Sequence, residues 1–149
     1  MESVHAKSYS TIFSTLNTPE EINEIFDWSD SEEYLQNKAV QIANIYRNPE
    51  EDPLKKKVAN VFLETFLFYS GFYTPLYYLG HNKLNNVAEI IKLILRDESV
   101  HGTYIGYKFQ VGMHDRTEKQ QQDMKDWMYN FHNELYDNEE KNTHFLYDQ

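Results

Sequence analysis

The tetrapeptide Glu-Ser-Val-His occurs twice in this 149-residue chain, at residues 2–5 and at residues 98–101. In an α-helix, residues i and i+3 lie on the same face, so each copy directs one carboxylate and one imidazole to the same point. Carboxylates and imidazoles are ligands that bind iron, manganese and zinc in proteins. The candidate metal ligands from the two copies are Glu2, His5, Glu98 and His101.

A glutamate inside a long apolar segment is a fifth candidate ligand. Glu64 is the only acidic residue between Lys57 and Lys83. Because burial of an unpaired carboxylate is costly, Glu64 requires either a nearby cation or a proton. Either a metal ion or a basic side chain such as Arg96 satisfies this requirement. A two-ion site in a helical bundle uses two Glu-x-x-His pairs and two lone carboxylates, and Glu64 is the one lone carboxylate evident in this sequence.

A single Glu-x-x-His pair would be weak evidence for a metal site, because this spacing arises by chance in many helices. A lone histidine is more often an ordinary core or surface residue than a ligand. Two identical pairs together with Glu64 favour the metal site. We predict that the remaining histidines are surface residues: His81, His114, His132 and His144.

Tyr9 lies one helical turn after His5, on the same face, so its ring is predicted to approach the metal ions. A phenol beside two redox-active metals in a dry pocket suits one-electron oxidation and protection of the product. The alternative is that Tyr9 is one of 12 tyrosines and only packs in the core. The residues one or two turns from Glu64 and Glu98 are apolar and are predicted to form the pocket: Phe68, Phe72 and Ile94.

Asp97 immediately precedes Glu98 and offers a further carboxylate. Metal-bound histidines usually donate their other ring N–H to a carboxylate, and Asp97 could accept this hydrogen bond from His5 on a facing helix. The alternative is an exposed Asp97 that pairs with Arg96, and the spacing alone favours neither.

The composition argues against several classes of function. A formal net charge of −10 repels phosphate backbones, so we expect no nucleic-acid partner. The absence of cysteine excludes disulfides, iron–sulfur clusters and thiolate zinc sites, and it fits a location in the cytoplasm. No signal-peptide pattern is visible. Residues 61–80 are apolar, but Glu64 and Pro75 interrupt them, which favours a buried helix over a membrane span.

Apolar residues recur at helical spacing throughout, which predicts an all-α fold with a single domain over residues 1–149. The first helix opens without an N-cap, so we expect that its beginning is missing. The predicted helices are 1–16, 19–28, 29–47, 54–79 with a bend at Gly71 and Pro75, 87–110 capped by Asn85 or Asn86, and a last helix from Thr117. Capping boxes are predicted at Thr18 with Glu21 and at Thr117 with Gln120.

In these motifs the chain resembles the small, radical-generating β subunit of class Ib ribonucleotide reductase. The resembling stretches are residues 2–10, 12–16, 66–73 (Phe-Leu-Phe-Tyr-Ser-Gly-Phe-Tyr) and 96–102 (Arg-Asp-Glu-Ser-Val-His-Gly). The resemblance covers essentially the whole chain but only the middle of the family's members. It implies a ferritin-like helical bundle that is incomplete, because the family's N-terminal helices and C-terminal part are missing.

The resemblance implies a role for each candidate residue. Tyr9 would become the stored radical, and Asp97 would link His5 to the radical-transfer path. Phe68, Phe72 and Ile94 would surround the radical. The implied ligands of two manganese or two iron ions are Glu2, His5, Glu64, Glu98 and His101.

The resemblance also implies partners. These are the large (α) subunit, which reduces ribonucleoside diphosphates, a flavodoxin-like activator for the manganese form, and a second β copy in a homodimer. The family's remaining aspartate ligand and a tryptophan of the radical path would lie before residue 1, and its tyrosine-bearing tail after residue 149. We therefore expect the chain to need missing β-subunit segments supplied in trans. The alternatives are an inactive metal-binding or structural remnant, or another ferritin-like di-iron oxidase, which would explain neither Tyr9 nor Asp97.

Overall fold

A computed structural model describes residues 2–148, apart from the side chain of Glu2. This part of the chain contains no β-strand, which confirms the predicted all-α fold. Its elements are α1 (Glu2–Leu16), α2 (Pro19–Ser31), α3 (Glu33–Arg47), α4 (Pro53–Phe62), a π-helical turn (Leu63–Leu67), α5 (Tyr69–Gly80), α6 (Asn85–Met113) and α7 (Glu118–Tyr147).

Local side-chain hydrogen bonds begin α2 and α7, as predicted. The Thr18 hydroxyl accepts from the Glu21 amide at 3.3 Å, and the Glu21 carboxylate accepts from the Thr18 amide at 2.7 Å. Thr117 and Gln120 form the same reciprocal pair at the start of α7. These boxes satisfy amide groups that the first turn of a helix leaves without partners.

The predicted starts of α3 and α6 are wrong. Helix α2 continues to Ser31, and Glu32 caps α3 by accepting a hydrogen bond from the Tyr34 amide. Neither Asn85 nor Asn86 is the N-cap of α6. The helix instead follows Leu84 in the left-handed conformation (φ 49°), without a side-chain cap, and it extends beyond the predicted end to Met113.

The apolar segment 54–79 is not one continuous α-helix, and its interruption does not lie at Gly71 or Pro75. It is interrupted earlier, at the π-helical turn, where the Phe68 amide donates to the Leu63 carbonyl at 3.3 Å. Pro75 lies inside α5. Such π-turns occur frequently at functional sites, and Glu64 lies in this one. Within residues 2–148, no helix has both the length and the apolar character needed to cross a membrane.

Two apolar clusters position the helices. The first joins Ile42 of α3, Ala59 of α4, Leu67 of the π-turn and Phe131 and Leu135 of α7. The second joins Phe72 of α5 to Ile91 and Ile94 of α6, with Tyr9 and Ile12 of α1 packed against them. Helix α3 is only partly buried: Ile42 lies in the core, Leu35 is half-buried, and Ala39 and Tyr46 are exposed.

A buried ion pair connects α3, the end of the π-turn and α7. The Lys38 ammonium lies 3.1 Å from Glu139 Oε2 and donates to the Leu67 carbonyl (3.4 Å) and the Ser70 hydroxyl (3.3 Å). Asn142 donates to the Glu139 carboxylate at 3.5 Å. Both charged side chains are mostly buried, so each depends on the other for compensation.

We expect Lys38→Met to lower the free energy of unfolding by about 3–5 kcal/mol, because the Glu139 carboxylate would stay buried without its cation. Urea denaturation followed by circular dichroism measures this loss. The matched control is Lys92→Met, which breaks an exposed pair with Glu89. Its effect should stay below about 1 kcal/mol. Equal losses in the two variants would contradict the prediction.

Candidate metal centre

Three of the predicted ligands come together from two elements. Glu64, Glu98 and His101 each place one ligand atom within 4.8 Å of the others. The Glu64 and Glu98 side chains are buried, at 7% and 3% exposure, and His101 is half-buried. The π-turn supplies Glu64, while α6 supplies the other two residues, one turn apart. Ligand atoms this close can share a single ion.

His5 of α1 also contacts Glu98, through the carboxylate oxygen that does not face His101. His5 is buried, and its Nδ1 atom lies 3.0 Å from Glu98 Oε1. The other oxygen of Glu98 lies 2.9 Å from His101 Nδ1. Glu98 therefore sits between the two imidazoles, where a carboxylate could contact two ions. The remaining predicted ligand, Glu2, belongs to α1, but its side chain lies outside the described residues.

Asp97 contacts the far side of the His5 ring. His5 Nε2 lies 3.2 Å from Asp97 Oδ2, within hydrogen-bonding distance. Because Nδ1 of the same ring faces Glu98, the carboxylate of Asp97 fixes the ring with one nitrogen directed into the site. Arg96, the alternative partner considered for Asp97, has an exposed side chain.

A glycine allows α6 to approach the π-turn closely. A Cβ atom on Gly102 would lie 2.2 Å from Thr65 Cγ2 and 3.9 Å from Glu64 Cβ. The first distance is far below van der Waals contact, so a Cβ atom at residue 102 would require Thr65 to rotate or the two elements to separate. Gly102 directly follows His101, and its lack of a side chain thus keeps Glu64 near the ligands of α6.

Tyr9 lies in the predicted apolar pocket. Together with Phe68 it packs against the buried side chains of Phe72, Ile91 and Ile94. Burial raises the pKa of the Tyr9 phenol, and the negative charge of Glu98 raises it further. At neutral pH the phenol therefore keeps its proton. A cavity of about 930 Å³ extends along Tyr9 and its pocket to His5 and Glu98.

The chemistry of these side chains fits iron or manganese. Both metals accept carboxylate oxygens together with imidazole nitrogens, and no thiolate is present. Glu64 and Glu98 are buried anions that would repel each other, and a cation between them removes this repulsion. The individual roles of the ligands stay predictions.

Sequence reasoning missed two neighbours of Glu64 and misjudged one histidine. Asn60 donates to Glu64 Oε1 at 3.3 Å and to the Tyr46 hydroxyl at 2.9 Å. Because Asn60 lies one helical turn before Glu64, the sequence could have predicted a contact between the two side chains. His132 is not a plain surface residue, because its half-buried ring stacks on Phe66 and Tyr136. The histidines that are exposed, as predicted, are His81, His114 and His144.

Comparisons with known proteins place the whole chain in one protein family. A family model described as "Ribonucleotide reductase, small chain" matches residues 1–149. The "Ribonucleoside-diphosphate reductase subunit beta nrdF1" of Mycobacterium tuberculosis is 51% identical over 149 residues, which are 100% of this chain and 46% of that protein. The "Ribonucleoside-diphosphate reductase 2 subunit beta" of Escherichia coli is 50% identical over 147 residues, covering 99% of this chain and 46% of that protein.

A solved structure matches the backbone. The crystal structure of Streptococcus sanguinis dimanganese(II)-NrdF is similar with a TM-score of 0.94 and 66% sequence identity, over 99% of this chain and 52% of that chain. The predicted ferritin-like helical bundle is therefore confirmed. The chain spans about half the length of the relatives it matches.

We expect Gly102→Ala to lower the free energy of unfolding by about 1–3 kcal/mol, because the new methyl group would overlap Thr65. It should also weaken Co(II) binding, because the displacement of Thr65 would disturb the adjacent candidate ligand Glu64. Thermal unfolding and a cobalt titration measure the two effects.

Gly106→Ala, one turn further along α6, is the control. A Cβ atom there meets nothing within 4 Å, so replacing a helical glycine should add about 0.5–1 kcal/mol of stability. A Gly102→Ala protein as stable as the Gly106→Ala protein would refute the close approach.

Proposed function

Because the chain belongs to the ribonucleotide reductase small-chain family, we propose that it forms the radical-generating centre of a ribonucleoside-diphosphate reductase β subunit. Such a centre serves deoxyribonucleotide synthesis and hence DNA replication. One observation carries the proposal: buried carboxylates and imidazoles converge beside a phenol in an apolar pocket.

The proposed ligands hold two manganese or two iron ions. Glu64, Glu98, His101 and His5 would hold these ions, with Glu98 lying between the two imidazoles. Glu2, one turn before His5, completes the set that this chain contributes. Manganese has specific support, since the similar Streptococcus sanguinis structure is that of a dimanganese(II) protein.

When bound and oxidised by an external oxidant, the metal ions would supply the one-electron acceptor for Tyr9. The phenol would give its electron to them and its hydroxyl proton to a basic group of the site, and a neutral phenoxyl radical would be left. The raised pKa of Tyr9 means that the proton leaves with the electron rather than before it. The walls formed by Phe68, Phe72 and Ile94 would keep water and reductants away from the radical once the cavity that they line is covered.

Asp97 is proposed to orient His5 and to connect it to the path by which the radical leaves. The hydrogen bond between His5 and Asp97 is the first step of such a path, because it runs from the centre towards a partly exposed carboxylate. The receiving partner is the large (α) subunit, where ribonucleoside diphosphates are reduced.

We propose that β-subunit segments not included in this chain cover the cavity beside the site. The cavity opens next to His5 and Glu98, and its apolar lining includes the exposed Phe13 and Trp28. A helix that fills it would bury these side chains and could bring the remaining aspartate ligand. The relatives have room for such segments, because this chain spans about half of their length.

The proposed setting is the cytoplasm. A flavodoxin-like activator would supply the oxidant to the manganese form, and a second copy of the β subunit would complete a homodimer. No nucleic-acid or membrane partner is part of the proposal.

Tyr9→Phe should abolish the radical. We propose combining the chain with the remaining β-subunit segments, loading it with Fe(II) or Mn(II), oxidising it, and recording EPR spectra. The wild-type protein should give a tyrosyl signal, and Tyr9→Phe should give none while it binds the same amount of metal.

Tyr129→Phe is the matched control, because Tyr129 is 70% exposed, and its signal should equal that of the wild type. A radical that survives in Tyr9→Phe would refute the assignment of Tyr9. Metal binding without any radical in the wild-type assembly would favour the inactive remnant.

A further inference from the structure

A short hydrogen-bonded chain leads from Glu64 to the surface, on a route separate from Tyr9. The Asn60 amide nitrogen donates one hydrogen to Glu64 Oε1 at 3.3 Å and the other to the Tyr46 hydroxyl at 2.9 Å. Tyr46 belongs to α3 and is 38% exposed, whereas Glu64 is buried. Asn60 therefore bridges a candidate metal ligand and a phenol on another helix.

The chemistry of these groups fixes the orientation of the Asn60 amide. A carboxylate can only accept hydrogen bonds, so the nitrogen and not the oxygen of the amide must face Glu64. The Tyr46 oxygen accepts the second hydrogen of the same nitrogen. The opposite orientation would set the amide oxygen against the carboxylate oxygen, and the hydrogen bond to Glu64 would be lost.

The hydrogen bond from Asn60 engages one particular oxygen of Glu64. A carboxylate can bind a metal ion through one oxygen or through both. An amide hydrogen that holds Oε1 opposes the rotation needed to bring both oxygens onto the ion. Hydrogen bonds of this kind to metal-binding carboxylates commonly change metal affinity by about 10–100-fold.

We propose that Asn60 is a positioning residue that restricts Glu64 to binding a metal ion through one oxygen, and that Tyr46 holds the Asn60 amide in place for this purpose. This inference rests on the proposed function, because it presumes a metal ion at Glu64. It concerns the ion position made by Glu64, Glu98 and His101, whose side chains all belong to the described part of this chain.

The test is a titration of the full chain with Co(II) and with Mn(II). Cobalt binding is followed by visible absorption, which is weaker at higher coordination number, and manganese binding by the EPR signal of the free ion. Asn60→Leu is nearly isosteric and removes the donor. The substitution should weaken the binding of both metals by about 10-fold or more. It should also lower the absorption per bound cobalt, because Glu64 would then be able to bind the ion through both oxygens.

Tyr46→Phe is a milder variant that keeps Asn60. It should shift the cobalt spectrum in the same direction with a smaller loss of affinity. The matched control is Asn44→Leu, the same substitution at an exposed position of α3, and it should behave as the wild type.

Three outcomes would overturn the inference. If Asn60→Leu leaves the metal affinity and the cobalt spectrum unchanged, the positioning role of Asn60 is refuted, while the proposed metal centre is not. An equal loss in Asn60→Leu and Asn44→Leu would show general destabilisation instead. A wild-type chain that binds neither metal even when combined with the remaining β-subunit segments would overturn the metal centre itself, and with it the proposed function.

Discussion

The site depends on two buried carboxylates that are held close together. Glu64 and Glu98 lie in the interior with ligand atoms within 4.8 Å of one another. Two anions at this distance and depth need positive charge between or beside them, which either protons or metal ions can provide. The imidazoles of His5 and His101 each lie about 3 Å from Glu98, so carboxylates and imidazoles from both sides face the same position.

Two backbone features bring these carboxylates together. The π-turn interrupts the α-helical segment at Glu64. Gly102 allows α6 to pack closely against that turn. Two further interactions hold the C-terminal end of the π-turn in place. Leu67 buries its side chain in the cluster with Phe131 and Leu135, while its carbonyl accepts from Lys38. The ion pair and the apolar cluster thus act on the site without contacting it, because they hold the turn from which Glu64 projects.

Local patterns in the sequence predicted what depends on local spacing. The capping boxes at Thr18 and Thr117 and the shared face of Glu98 and His101 follow from residues three positions apart. The π-turn could not be read in the same way, because residues 54–79 are apolar at helical spacing and carry no signal for an extra residue. The stacking of His132 on Phe66 and the bridge from Asn60 to Tyr46 join segments that are distant in the sequence, and one sequence does not specify such contacts.

The two sides of the site are held with unequal strength. Glu64 and His101 project from elements packed into the centre of the bundle, whereas α1 exposes Val4, Phe13 and Leu16. The main anchors of α1 are the contacts of His5 with Asp97 and Glu98 and the packing of Tyr9 and Ile12. The residues of α1 that would do chemistry are therefore also the residues that dock the helix. A change at His5 alters ligation and docking together, so substitutions on the Glu64 side give the cleaner measure of ligand strength.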